Sequence, residues 1–420
     1  MLELINIALL MWWAIWRCRI GLKGWLGPAF PFAMALKAVA GIGLGLMYSI
    51  HYPGGDTTGY FHESAILADA LRNFPEQKWH ILFGSLDQFP GGLVLQYADQ
   101  PRSFFFVRLL SLLYLITNGN YWISSVYLSW ISFEGIFFLA GKIVHYYPEQ
   151  RRVVMVSFMF LPSAVFWSSG ILKESLAMPA VAVLCGLTLD QYERPLKTDF
   201  RWLYLGMPAA YVLWSLRYFY AAVLFPLMFA LWIWRLMADN LMRPYARVLA
   251  TLTIAGLFVM TIALLGRLHY NLKPGVLPGL IYENYVLMKS RSSEGAIVEF
   301  PGIGPAPMQV ARQIPRSLAA GLFRPTVLDS QQFPALLTAM ENTVLLILTA
   351  LALAGLWRRG FRIDPRIVAI MLFIGILAAA LPMASPNFGS LARYKVAYLP
   401  FLWLLAIAGA ASTVRRWLKC

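Results

Sequence analysis

Charge is what this sequence has least of. Only 13% of its 420 residues are Asp, Glu, Lys or Arg, where a soluble domain carries roughly 25%. Acid is the scarcer sign, with 20 Asp and Glu against 35 Lys and Arg, a formal net charge of +15. The basic residues flank apolar runs and form no stripe interleaved with aromatics, which argues against a nucleic-acid partner. Cysteine is rare: Cys18, Cys185 and Cys420 lie far apart and no CxxC occurs, so neither a disulfide framework nor a thiolate metal site is expected. There is no Walker A loop and no GxGxxG, which argues against nucleotide-driven chemistry. No GxSxG elbow and no HExxH helix occurs either.

What is present is apolar length. Hydrophobic residues make up 59% of the chain and the mean hydropathy is +0.62. That is the composition of an all-α polytopic membrane protein. Runs that could span lie near 3–16, 29–50, 121–143, 153–171, 174–191, 202–216, 218–237, 248–266, 334–356, 367–384 and 396–414. The opening MLELINIALLMWWAIW lacks a basic n-region and an A-x-A site, so it reads as a retained first helix. A shorter run, 104–117, contains Arg108 and falls below the ~20 residues a span wants.

The positive-inside rule decides the topology. If 104–117 does not span, the basic connections all fall on one side. They are Arg17/Arg19/Lys23, Lys142/Arg151/Arg152, Arg194/Lys197/Arg201, Arg235/Arg243/Arg247, Arg358/Arg359/Arg362/Arg366 and Arg415/Arg416/Lys419. The expectation is therefore a single integral-membrane domain over 1–420 with about 11 transmembrane helices and a cytoplasmic C-terminus. Two long extracytoplasmic loops follow, 51–120 and 267–333, with short outer turns at 168–174, 215–220 and 385–395.

The candidate chemistry clusters in those outer segments. Residues 52–69, YPGGDTTGYFHESAILAD, open with a Pro-Gly-Gly turn and present Asp56, then read as a short helix with Tyr60, His62, Glu63 and Asp69. A carboxylate at a membrane surface can take the proton of an acceptor hydroxyl during group transfer. The competing reading makes Asp56, Thr57 or Thr58 a helix N-cap. The FWSSGILKE stretch puts Lys173 and Glu174 at the next outer boundary. Arg217, Arg312, Arg316, Arg324, Arg393 and Lys395 follow on later outer segments. Together with Lys173 they would suit one phosphate or diphosphate. Within the spans, Lys37 and Glu134 both fall at roughly 13 Å depth and are expected to pair, while Glu341 is placed to contact the outer cations.

This order of features resembles the GT-C superfamily of integral-membrane glycosyltransferases. The FWSSGILKE, LFRP and GSLARYK stretches are similar to those in membrane proteins of bacterial surface-polysaccharide clusters. The resemblance implies a polyprenyl-phosphate-linked sugar as donor, and a glycan, lipid or protein as acceptor. It implies the bacterial inner membrane, with the reaction on the extracytoplasmic side. Asp56 would then be the catalytic residue. The substrate-binding set would be Tyr60, His62, Glu63, Lys173, Glu174, Arg217, Arg316, Arg393 and Lys395, with Tyr60 and Trp79 as sugar platforms. No cofactor is certain: a divalent metal is compatible with the family, but neither outer loop holds a DxD or ExD pair. Two other readings stay open, a Wzy-type polysaccharide polymerase or ligase using lipid diphosphates, and a lipid or glycan transporter.

Overall fold

A computed structural model describes all residues except 53, 85–94, 195–198, 239–255, 257–259, 261–263, 265, 268, 293–295, 330–334, 360–363 and 418–420. Most of the expected span 248–266 therefore lies outside the described residues. Among those described there is no β-strand, and one isolated bridge joins Ile297 to Asn387. Among the described residues seven helices are long and apolar enough to cross a membrane, or up to eight if one bent pair is a single span.

The chain divides into two compact units. The first comprises Met1–Val144, Val165–Leu184 and Leu203–Tyr218. It begins with α1 (Leu2–Gly21) and α2 (Ala29–His51), then α3 (Asp56–Asn73), α4 (Lys78–Phe83) and α5 (Pro101–Thr117). α6 (Tyr121–Tyr146) follows. α5 runs over 17 residues and contains the 104–117 stretch. An aromatic knot holds α2 on α6, where Phe30 meets Phe133 and Phe137 edge-on at 5.3 and 5.1 Å. Gly21 lies directly beneath Phe30, where a Cβ would come within 2.3 Å of the ring.

Beyond α6 come α7 (Arg151–Val154), a π-turn over Met155–Phe160 and α8 (Pro162–Trp167). The expected span 153–171 is thus broken, for a covalent reason. Proline supplies no N–H and pushes the residue before it out of helical geometry; Leu161 accordingly sits at φ −68°, ψ 114°. α9 (Glu174–Glu193) and α10 (Met207–Ala238) each contribute residues to both units. Within α10 the backbone leaves helical geometry at Arg217, φ −145° and ψ 62°. The long apolar segment is therefore two helices joined where the sequence suggested a turn.

The second unit comprises His145–Ala164, Cys185–Trp202 and Phe219–Cys420. It adds α11 (Leu277–Ser290), α12 (Pro307–Arg312), α13 (Ile314–Phe323), α14 (Ala335–Arg359), α15 (Pro365–Ala384), α16 (Phe388–Lys395) and α17 (Leu399–Trp417). Small residues bring its helices close. The Ser317 hydroxyl donates to the Ala379 carbonyl at 2.6 Å, and Gly321 faces the Ala378 carbonyl with no room for a Cβ. α16 is a helix where an outer turn was expected, and it meets α17 at a bend of 71°. Asn387 caps α16 through the Gly389 and Ser390 N–H groups at 3.0 and 3.2 Å. The end of α9 is tied down by Glu193, which accepts from the Tyr147 hydroxyl at 3.1 Å and from Arg366 at 2.5 Å.

The α13–α15 contact yields a paired test. A Cβ on Gly321 would lie 2.1 Å from a backbone oxygen, whereas one on Gly375 meets nothing within 4 Å. We predict that Gly321→Ala destabilises the detergent-solubilised protein by about 1–3 kcal/mol through overpacking. Gly375→Ala should be neutral or stabilising by up to ~1 kcal/mol. Thermal unfolding of both variants checks this.

Candidate functional site

The three segments expected as short outer turns are not solvated turns. Ser168, Ser169, Ile171, Leu172, Lys173, Glu174 and Ser175 are all buried, and so are Arg217, Arg393 and Lys395. A buried loop must satisfy its own backbone polar groups, and the segment from Ser168 to Ser175 does so with help from α2 and α6. Gly170 adopts φ +68°, a conformation that favours glycine, and its N–H donates to the Ser129 hydroxyl at 2.9 Å. Lys37 of α2 donates to the Ser168 hydroxyl at 2.5 Å and to the Val165 carbonyl at 3.3 Å. The missing side chain of Gly41 makes this approach possible, since a Cβ there would stand 2.2 Å from the Ser129 oxygen.

The expected Lys37–Glu134 pair does not form. Lys37 is taken up by the buried loop, and Glu134 instead receives Arg17, at 2.5 and 2.6 Å to its two oxygens. Equal depth along two helices is compatible with pairing, but it does not say which way the side chains turn.

In the first unit, Tyr60, Lys173, Glu174 and Arg217 are linked through contacts at the buried loop. The Lys173 ammonium donates to the Ser103 hydroxyl of α5 at 3.1 Å. The same ammonium sits 5.1 Å from the centre of the Tyr60 ring, a cation–π contact. Its neighbour Glu174, in the first turn of α9, forms an ion pair with Arg217, their side chains 1% and 2% exposed. Tyr60 is 2% exposed and lies against Tyr97 at 4.7 Å and Phe106 at 5.4 Å. Its ring thus orients Lys173 and offers no open face to a sugar. Trp79 is 67% exposed, with Phe83 stacked beside it at 5.9 Å and the Lys78 ammonium 5.8 Å from its ring centre.

Glu63 is a brace. Both its oxygens accept from the Tyr97 N–H, at 3.0 and 3.2 Å, which fastens α3 to the chain leading into α5. Burial pushes its carboxyl above the usual range, with the Tyr97 and Gln96 N–H groups and His62 pulling the other way. His62 itself is exposed, two residues from Tyr60 and so on another face of α3. Asp56 is half-buried in the first turn. It is not the N-cap: Gly55 holds that position, and Thr58 donates back to the Gly55 carbonyl at 2.9 Å. Asp56, Tyr60 and Glu63 stand four and three residues apart, on one stripe of the helix.

In the second unit, Lys395 is 1% exposed. Its ammonium donates to the carbonyls of Leu322 and Arg324 and to the Asn342 side chain, at 3.2, 3.2 and 3.1 Å. Those three bonds use all three donors of a lysine, so Lys395 clamps the end of α13, where a cation also meets the negative pole of the helix. Glu341 accepts from the Ser163 N–H at 2.9 Å and feels the charge of Lys395. Arg393 lies 5.3 Å from the Tyr394 ring. Arg324 pairs with Asp329 and stands 5.3 Å over the Phe388 ring. Arg312 and Arg316 are exposed. Among the described residues no three His, Cys, Asp or Glu side chains gather as a metal site.

Ser103 is the site residue that sequence reasoning passed over. It sits at the start of a run too short to span, and nothing local marks a serine as the partner of a lysine 70 residues away. Comparison with known proteins identifies no relative: no family model, no curated protein and no solved structure matches the chain.

Two carboxyls carry opposite pH signatures. Burial raises the Asp329 carboxyl, but Arg324 and Thr326 outweigh it and the net shift is downward. Asp329 therefore contributes stability above its unfolded pKa that is lost as pH falls through the folded one. Glu63, shifted upward, contributes most below its unfolded pKa and loses that contribution as pH rises through the folded one. Asp329→Asn should lower the melting temperature at neutral pH and flatten its acid limb. Glu63→Gln should remove a decline that sets in as pH rises above the ordinary Glu range. Melting temperature against pH for both variants checks the two signs.

Proposed function

We propose that this chain is a membrane glycosyltransferase of GT-C type. It moves a sugar from a polyprenyl-phosphate donor to a glycan, lipid or protein acceptor, in the assembly of cell-surface polysaccharide or glycoconjugate. Its place is the bacterial inner membrane, with the reaction at the extracytoplasmic face and a topology of about 11 spans. The observation that carries the reading is the Lys173 ammonium, fixed by Ser103 and Tyr60 against the helix whose first turn bears Asp56.

The chemistry asks for these two groups. The acceptor oxygen attacks the anomeric carbon as its proton passes to Asp56, acting as general base. The bond between that carbon and the phosphate oxygen breaks, and the electron pair leaves with the polyprenyl phosphate. The phosphate gains a negative charge, and a preorganised cation stabilises charge that develops in the transition state. Lys173 is that cation. Trp79, which is exposed, is the aromatic that can stack on a sugar ring. The activated bond belongs to the lipid donor, so the reaction requires no nucleotide.

The test is sugar transfer by purified protein, offered polyprenyl monophosphate and diphosphate sugars. Turnover of a monophosphate donor is expected, falling by about 10²–10⁴ in Asp56→Asn with donor binding retained. Lys173→Met should lower the rate and leave the pH profile in place. Turnover of diphosphate-linked oligosaccharides alone, spared in Asp56→Asn and lost in Arg393→Ala, would replace this reading with a polymerase or ligase. Binding without turnover of any donor would point to a transporter.

A further inference from the structure

We propose that Arg102 is a phosphoryl-binding residue at the approach to Lys173. Its exposed guanidinium lies against the Tyr218 ring and takes the charged headgroup of the ligand that the buried ammonium also attracts. This role rests on the lipid-phosphate reading above and gives the site an accessible cation, which Lys173, at 7% exposed, does not supply.

Three observations place Arg102 there. It is exposed in the first turn of α5, with its guanidinium carbon 5.2 Å from the Tyr218 ring centre. Tyr218 directly follows Arg217, the partner of Glu174, so the ring is anchored in the same buried structure. The next residue, Ser103, is 2% exposed, accepts from Lys173 at 3.1 Å and donates to Gln100 at 2.9 Å. Successive helical positions point about 100° apart, so two neighbouring residues face solvent and the buried lysine respectively.

The chemistry favours an anion. A guanidinium stacked on an aromatic face keeps its N–H edge open, and that edge matches phosphate oxygens two at a time. Stability offers a weak reason for an arginine here. A cation in the first turn opposes the helix dipole, and α5 carries no acid in that turn to offset it. Among the described residues Arg102 forms no ion pair and lies over the Tyr218 ring. A phosphate monoester or diester, lipid-linked or free, meets these features.

Full-length protein in phosphatidylcholine nanodiscs would be titrated with decaprenyl monophosphate, with inorganic phosphate as competitor. Wild type would be compared with Arg102→Gln, Arg102→Lys and Arg72→Gln, the last an exposed cation of α3 paired with Asp69. Arg102→Gln should raise Kd about tenfold or more and flatten the salt dependence of binding. Arg102→Lys should recover part of the loss, because a point charge lacks the fork, and Arg72→Gln should bind as wild type. Competition by inorganic phosphate in an Arg102-dependent manner would identify the headgroup as sufficient. Its failure, with the Arg102 effect intact, would assign the site to the lipid-linked form. A Kd for Arg102→Gln within about twofold of wild type, or an equal loss in Arg72→Gln, overturns the proposal. Binding is read without turnover: Arg102-dependent binding with no sugar transfer sinks the transferase reading alone. Transfer unaffected by Arg102→Gln, together with unchanged binding, sinks this one alone.

Discussion

The ion pair between Glu174 and Arg217 is the constraint from which the candidate site follows. Both side chains are almost fully buried, and a buried charge without a partner costs several kcal/mol. Each partner also stands at a break in the chain, Glu174 where α9 begins and Arg217 where α10 leaves helical geometry. Holding the charges together therefore fixes two backbone breaks against each other. Lys173 precedes Glu174 by one residue, so its position is settled by the same contact and refined by Ser103 and Tyr60.

Burying such a break requires room and polar partners, and the packing supplies both. Gly41 lets backbones approach where a Cβ would collide, and Gly170 takes the positive φ that the turn requires. Ser129 bonds the loop backbone, and Lys37 bonds the Ser168 hydroxyl and the Val165 carbonyl. The second unit repeats the device with other residues: Lys395 ties together the end of α13 and Asn342 of α14, and Gly321 lets α13 lie on α15. In both units a lysine that hydropathy would place at a surface serves as an internal cross-link. Small residues and buried polar contacts are the usual means of joining helices in lipid, where apolar burial gives no net drive between helices.

Helical, membrane-type character was legible in the sequence because it needs only composition and run length, and the described residues show it. Tyr60, Lys173, Glu174 and Arg217 were legible as candidates because charge and aromatic rings stand out on an apolar background. Depth was not legible. Hydropathy and charge bias assign a side of the membrane, but they do not distinguish a turn in water from one folded inward, so on sequence alone 168–174 and 385–395 pass for outer turns. Side-chain direction was equally hidden. Lys37 and Glu134 match in depth, yet each has a different partner. The sequence marks Tyr60 as a sugar platform, but its ring is covered by Tyr97, Phe106 and Lys173. Ser103 acquires meaning only from a contact 70 positions along the chain, which no local pattern encodes.

The most direct test of this account is a double-mutant cycle on the central pair. Thermal unfolding of solubilised protein would be compared for wild type, Glu174→Gln, Arg217→Gln and the double variant. Each single change removes the ion-pair partner of a buried charge, and breaking a buried pair typically costs about 3–5 kcal/mol. The double variant should therefore be clearly more stable than the sum of the two losses implies, and at least as stable as the worse single variant. Additive losses, or singles that unfold as wild type does, would contradict the claim that this pair fixes the buried loop and with it Lys173.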